Sequence, residues 1–125
     1  MECKYDRKMP SGHNSPRPHK AGKIFNDLFR LASFSNEKNI IKWFIYVTDE
    51  EMIKYFNNLS NKLYGFFNLT IGKILVINNS YIKNKSETFI KAINTNDIEE
   101  IKIKCILDNN LASEHRIKIF EVINV

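Results

Sequence analysis

Glu2 and Lys4 stand two residues apart in Glu2-Cys3-Lys4-Tyr5, where polar and apolar residues alternate. Such alternation marks a short strand, with Glu2 and Lys4 on one side and Cys3 and Tyr5 on the other. A carboxylate and an ammonium group on one strand face can address one phosphate together. The acid holds a divalent cation, and the lysine orients or helps to deprotonate an attacking water. Any surface strand can carry Glu-x-Lys, so the pair takes its meaning from what surrounds it.

The other chemical candidates are weaker. Gly22-Lys23 and Gly72-Lys73 invite comparison with phosphate-binding loops, but Ile follows each where a magnesium-binding Ser or Thr is needed. Neither has a glycine five residues ahead of its own. Cys3, His13 and His19 could each ligate a metal, but their spacing matches no common zinc finger, and the histidines read as loop residues facing phosphate or solvent. His115 falls in the turn expected before the last strand. The acids Asp49-Glu50-Glu51, and Asp97 with Glu99 and Glu100, fall in the first turns of expected helices, where the helix dipole favours negative charge.

The elements that position these residues follow from periodicity. Lys8 to Lys20 reads as a basic loop, because Pro16 and Pro18 are expected to exclude a regular helix or a central strand. From Ala21, the apolar residues Ile24, Phe25, Leu28, Leu31 and Ala32 recur at helical spacing with Phe29 beside them, and Lys23, Asn26, Asp27 and Arg30 take the opposite face. Trp43-Phe44-Ile45-Tyr46-Val47 is continuously apolar, hence a buried strand. Thr48-Asp49-Glu50-Glu51 then reads as a capping box with Thr48 as the cap, opening a helix through Met52, Ile53 and Phe56. Strand, loop, helix, strand, helix is the order of an α/β unit with parallel strands. Further on, strands are expected at 73–78, 101–105 and 116–122, a short helix at 87–93 and a helical turn at 96–100.

Taken together, "ECKYDRKMPSGHNSPRPHKAGKIFNDLFRLA" followed by "KWFIYVTDEEM" resembles the second half of the PD-(D/E)XK, or restriction-endonuclease-like, nuclease core. The resemblance covers residues 2–56 and implies an α/β fold with a partial core of that kind, a mixed sheet flanked by helices. It implies Mg2+ as cofactor and hydrolysis of phosphodiester bonds in DNA. Glu2 and Lys4 would be the catalytic pair, and Glu2 with the main-chain carbonyl of Cys3 would ligate the metal. Members of the family also use an Asp on a strand or turn ahead of the E-x-K strand, whereas here only Met1 precedes Glu2. The expectation is therefore a truncated or incomplete member with impaired catalysis.

Length and charge are compatible with this reading. The chain of 125 residues, 43% hydrophobic and 26% charged, is expected to form one domain, with residues 57–125 as a C-terminal α/β extension. Four of its five net positive charges lie in residues 1–23, where Lys4, Arg7, Lys8, Arg17, Lys20 and Lys23 face only Glu2 and Asp6. Arg7, Lys8, Arg17, Lys20 and Lys23 are accordingly the expected contacts to nucleic acid, DNA first. Two cysteines give no disulfide framework, and the longest apolar run, Trp43–Val47, is far too short to span a membrane, so a cytoplasmic location is expected. Two other readings need no catalysis: a basic module that binds nucleic-acid phosphates, and a protein-binding or inert remnant that self-associates through an exposed sheet edge.

Overall fold

The structure is a computed structural model that describes residues 1–6, 16–34, 40–94 and 100–124. Five strands, β1 (Glu2–Asp6), β2 (Lys42–Thr48), β3 (Ile74–Ile77), β4 (Ile101–Leu111) and β5 (His115–Asn124), form one mixed sheet in the order β1-β2-β5-β4-β3. β1 runs parallel to β2, with Glu2 opposite Phe44 and Asp6 opposite Thr48, and the remaining pairings are antiparallel. The helices are α1 (Arg17–Ser33), α2 (Glu50–Asn57), α3 (Tyr64–Phe67), α4 (Asn79–Ile82) and α5 (Glu87–Ala92), with a 3-10 turn at Leu59–Asn61. The fold class is α/β, as expected.

α1 begins four residues earlier than its apolar pattern suggests. Pro16 is its N-cap residue and Pro18 lies in its first turn, so Arg17, His19 and Lys20 belong to the helix and not to a loop. The reason is that proline lacks only an N–H, and the first turn of a helix leaves its N–H groups unpaired in any case. The Pro16 carbonyl accepts from the Lys20 amide at 3.0 Å. The apolar face is as expected, with Ala21, Ile24, Phe25, Leu28, Phe29, Leu31 and Ala32 all buried.

Two further expectations are corrected. α2 is capped by Asp49, whose carboxylate accepts from the Met52 amide at 3.1 Å, while Thr48 ends β2. β2 is buried on one face only: Phe44 and Tyr46 lie in the core, but Trp43 is 43% exposed. The core residues of the other strands, Ile77, Ile101, Ile103, Cys105, Phe120 and Val122, form one cluster with buried residues from α1 to α4 and Phe89 of α5. Trp43, Ile45, Val47, Ile117 and Ile119 alternate with those positions and project from the opposite face. No described helix is long and apolar enough to cross a membrane.

Candidate functional site

β1 is an edge strand, and its pairing with β2 fixes which way each side chain points. Glu2, Lys4 and Asp6 face α1, while Cys3 and Tyr5 are exposed on the other side. The structure thus brings the two residues of the E-x-K pair to one side, with the Cys3 main chain between them.

α1 supplies what the sequence reading missed. Asp27, placed on the solvent face by its helical spacing, is buried against β1, with a side chain only 9% exposed. Its Oδ2 lies 3.2 Å from Lys4 Nζ. Its Oδ1 accepts from Arg30 Nη2 at 3.0 Å, and the same nitrogen donates to Glu2 Oε1 at 3.1 Å. A cationic nitrogen therefore sits between two carboxylates from different elements. Arg30 is the loosest member, with a side chain 63% exposed, whereas Glu2 and Lys4 are partly covered. The usable signal was the i, i+3 pair Asp27–Arg30 at the border of the apolar stripe.

Deeper along β1, Asp6 is buried and accepts from the Tyr46 hydroxyl at 2.6 Å. Burial raises its carboxyl pKa, an effect partly offset by the Tyr46 hydrogen bond and by the positive charges of Lys4 and Lys20. Burial and the neighbouring Asp6 push the Tyr46 hydroxyl well above its ordinary value. The pair closes the inner end of the cluster as a protonated phenol against a desolvated acid.

Of the expected phosphate contacts, Arg17, Lys20 and Lys23 follow one another down α1 at intervals of three, and Arg17 is engaged by Glu51 at 3.2 Å. Arg7, Lys8 and His13 lie outside the described residues. His19 is on α1, away from a ligand cluster with Cys3: among the described residues no group of three or more His, Cys, Asp or Glu side chains is placed to hold a metal ion. A magnesium ion commonly needs no such group, since it keeps several waters and is held by one or two carboxylates. Glu2 and Asp27, whose carboxylates both reach Arg30 Nη2, are the acids that could meet that sparser requirement. Burial raises the pKa of the Cys105 thiol, which donates to the Leu107 carbonyl at 3.5 Å, and this suits packing better than nucleophilic chemistry.

Comparison of the chain with protein-family models, with curated proteins and with solved structures finds no match.

Proposed function

We propose that the chain carries a magnesium-dependent phosphodiesterase site of the PD-(D/E)XK type, acting on DNA with low efficiency. The observation that supports this most is Arg30 Nη2 lying 3.1 Å from Glu2 Oε1 and 3.0 Å from Asp27 Oδ1, a positive charge held where two carboxylates converge beside Lys4. In this reading Arg30 stands in for the cation. Its contact with Glu2 is an exposed ion pair of a kind that contributes roughly 0–1 kcal/mol, so the guanidinium can yield that place to a metal ion. Glu2, Asp27 and the Cys3 carbonyl would hold Mg2+, with Asp27 supplying the second acid that the E-x-K motif calls for. Bound magnesium supplies Lewis-acid polarisation of the phosphoryl oxygen and a more acidic water. Lys4 orients the attacking water and stabilises the charge that builds as the new P–O bond forms and the bond to the leaving sugar oxygen breaks. Arg17, Lys20 and Lys23 on α1 hold the flanking phosphates. The two unpaired thiols, Cys3 and Cys105, suit the reducing cytoplasm.

The test is Mg2+ titration by calorimetry alongside nicking of supercoiled plasmid. Glu2→Gln and Asp27→Asn should each weaken Mg2+ binding and abolish nicking; Lys4→Ala should spare binding and abolish nicking. Arg30→Ala should tighten Mg2+ binding. If Glu2→Gln and Asp27→Asn bind Mg2+ and nick DNA like the parent chain, the reading fails.

A second reading, self-association, is favoured by the sheet face that no described helix covers. It differs from pairing at a sheet edge in using side chains. Trp43, Ile45, Val47, Ile117 and Ile119 form its apolar centre, and the cross-strand neighbours Lys104 and Glu121 sit towards one side. Two five-stranded faces in contact bury on the order of 1,000 Å2, the least that a stable specific interface needs. A second copy of the chain supplies the same apolar face and is the occupant proposed. Its test is the mass of the chain in solution by light scattering.

A further inference from the structure

A cavity of about 270 Å3, which none of Glu2, Lys4, Asp27 and Arg30 lines, opens between Pro18, Tyr55, the 60–63 turn, the 84–86 loop and Phe89. No Asp or Glu is among its lining residues, but two lysines are, Lys62 and Lys85. Both ammonium groups converge on one residue. Lys62 Nζ donates to the Asn84 carbonyl at 3.3 Å, and Lys85 Nζ donates to the Asn84 side-chain oxygen at 2.9 Å. Neither has a carboxylate partner among the described residues.

Two features hold this arrangement in place. Lys85 lies over the Tyr81 ring, 4.1 Å from its centroid, and that ring stacks on the fully buried Phe25. Lys62 has φ of 60° because it caps the 3-10 turn Leu59–Asn61, where its amide donates to the Leu59 carbonyl at 3.1 Å and fixes its backbone. Burial, and after it the positive charge of Lys62, lower the pKa of Lys85, so the two ammonium groups repel. An anion between them would relieve that repulsion. The Tyr55 hydroxyl has no hydrogen-bond partner among the described residues, and the Ser86 hydroxyl, which accepts from the Phe89 amide, keeps its own proton to donate. Leu63 and Phe89 make an apolar floor.

We propose that this cavity binds a terminal phosphate group, a dianion held by Lys62 and Lys85 with hydroxyl donation from Tyr55 and Ser86. Its volume admits a free mononucleotide, and its open mouth equally admits the phosphorylated end of a strand. The site does not depend on the Glu2–Lys4 chemistry and stands or falls separately.

The test is titration of the full chain, followed by NMR or calorimetry, with inorganic phosphate, adenosine 5′-monophosphate, and a short single-stranded oligonucleotide with and without a 5′-phosphate. Saturable binding of phosphate or the mononucleotide is expected. Lys62→Gly, which suits the left-handed backbone, and Lys85→Gln should each weaken it about tenfold or more. Lys91→Gln, at an exposed lysine elsewhere, should leave it unchanged. Tighter binding of the phosphorylated oligonucleotide than of its unphosphorylated twin would identify the strand end as the source; mononucleotide binding without that difference would identify the free nucleotide. The proposal is overturned if no probe binds saturably, if both pocket variants bind like the parent chain, or if oligonucleotides bind without regard to the terminal phosphate and the mononucleotide does not bind.

Discussion

Lys118 is fully buried, and what surrounds it explains how a lysine is tolerated there. Its ammonium group donates to the carbonyls of Phe67 and Leu69 and lies 3.5 Å from Asp108, which also takes a bidentate pair of bonds from Arg116 at 2.7 and 2.6 Å. Removing one partner of such a network strands the others, so Lys118→Ala and Asp108→Asn should each cost about 3 kcal/mol in denaturant unfolding. Half-buried Asp108 and buried Asp6 should respond to pH in opposite senses. For Asp108, burial raises the pKa, but the Arg116 hydrogen bonds and the Lys118 and Arg116 charges outweigh this and hold it low. Its stabilisation is present above the unfolded carboxylate pKa and lost as pH falls through the lower folded value. For Asp6, burial dominates and raises the pKa. Its contribution is full below the unfolded pKa and lost as pH rises through the higher folded value. Asp6→Asn should therefore gain on the parent chain as pH rises from the acid range to neutrality, and Asp108→Asn should lose on it. Unfolding measured across that range checks both signs. Glu2 and Lys4 were legible in the sequence because alternation alone puts them on one face. Asp27 and Arg30 were not, because a helix-border residue reads as solvent-facing until the strand beside it is known.

At the scale of elements, local pattern identified most of the described strands and longer helices and found the starts of β1, β4 and α5, but it misplaced those of α1 and α2. The prolines at the start of α1, Pro16 as its cap and Pro18 in its first turn, were read as breakers, although proline is tolerated there. The α2 cap fell one residue late, because Thr48 and Asp49 are both good caps and β2 claims Thr48 for its last pairing, with Arg116. Asp49→Ala should accordingly cost about 1 kcal/mol, whereas Thr48→Ala should leave the cap intact; thermal unfolding of the two variants distinguishes the assignments. The short α3 and α4 carried no readable period at four residues each. Nor did sequence reveal why position 22 is glycine. A Cβ there would strike the Phe89 carbonyl oxygen and lie 2.6 Å from Ala92 Cβ, so α1 and α5 meet backbone to backbone. Gly22→Ala should lower stability by about 1–3 kcal/mol, and a neutral result would mean that α5 sits farther out.

For the whole molecule, the continuous apolar run of β2 reads from sequence as a buried strand covered on both sides, yet a sheet can also cover such a run on one side and leave it uncovered on the other. The described helices choose the second, leaving Tyr5 54% and Trp43 43% exposed. If copies of the chain meet on that face, light scattering should give a dimer mass that Ile119→Glu reduces to that of the monomer with secondary structure retained; a monomeric parent chain would refute it. The contrast between the two ends of the sheet also has a consequence in time. β4 and β5 are joined by the short turn at 112–114, in which Ser113 and Glu114 have φ of 59° and 56°, so their pairing closes a small loop. β1 reaches β2 only across the whole of α1 and finds Phe44 opposite Glu2. Loops of that length close late, and parallel pairing is slow. In pulse-labelled hydrogen exchange during refolding, amides of Ile103–Cys105 and Arg116–Phe120 should gain protection before those of Cys3–Asp6, and the reverse order would show that the sheet grows from its other edge. On this sequence of events the cluster of Glu2, Lys4, Asp27 and Arg30 is assembled last, and is the first to be lost whenever the edge strand lifts away.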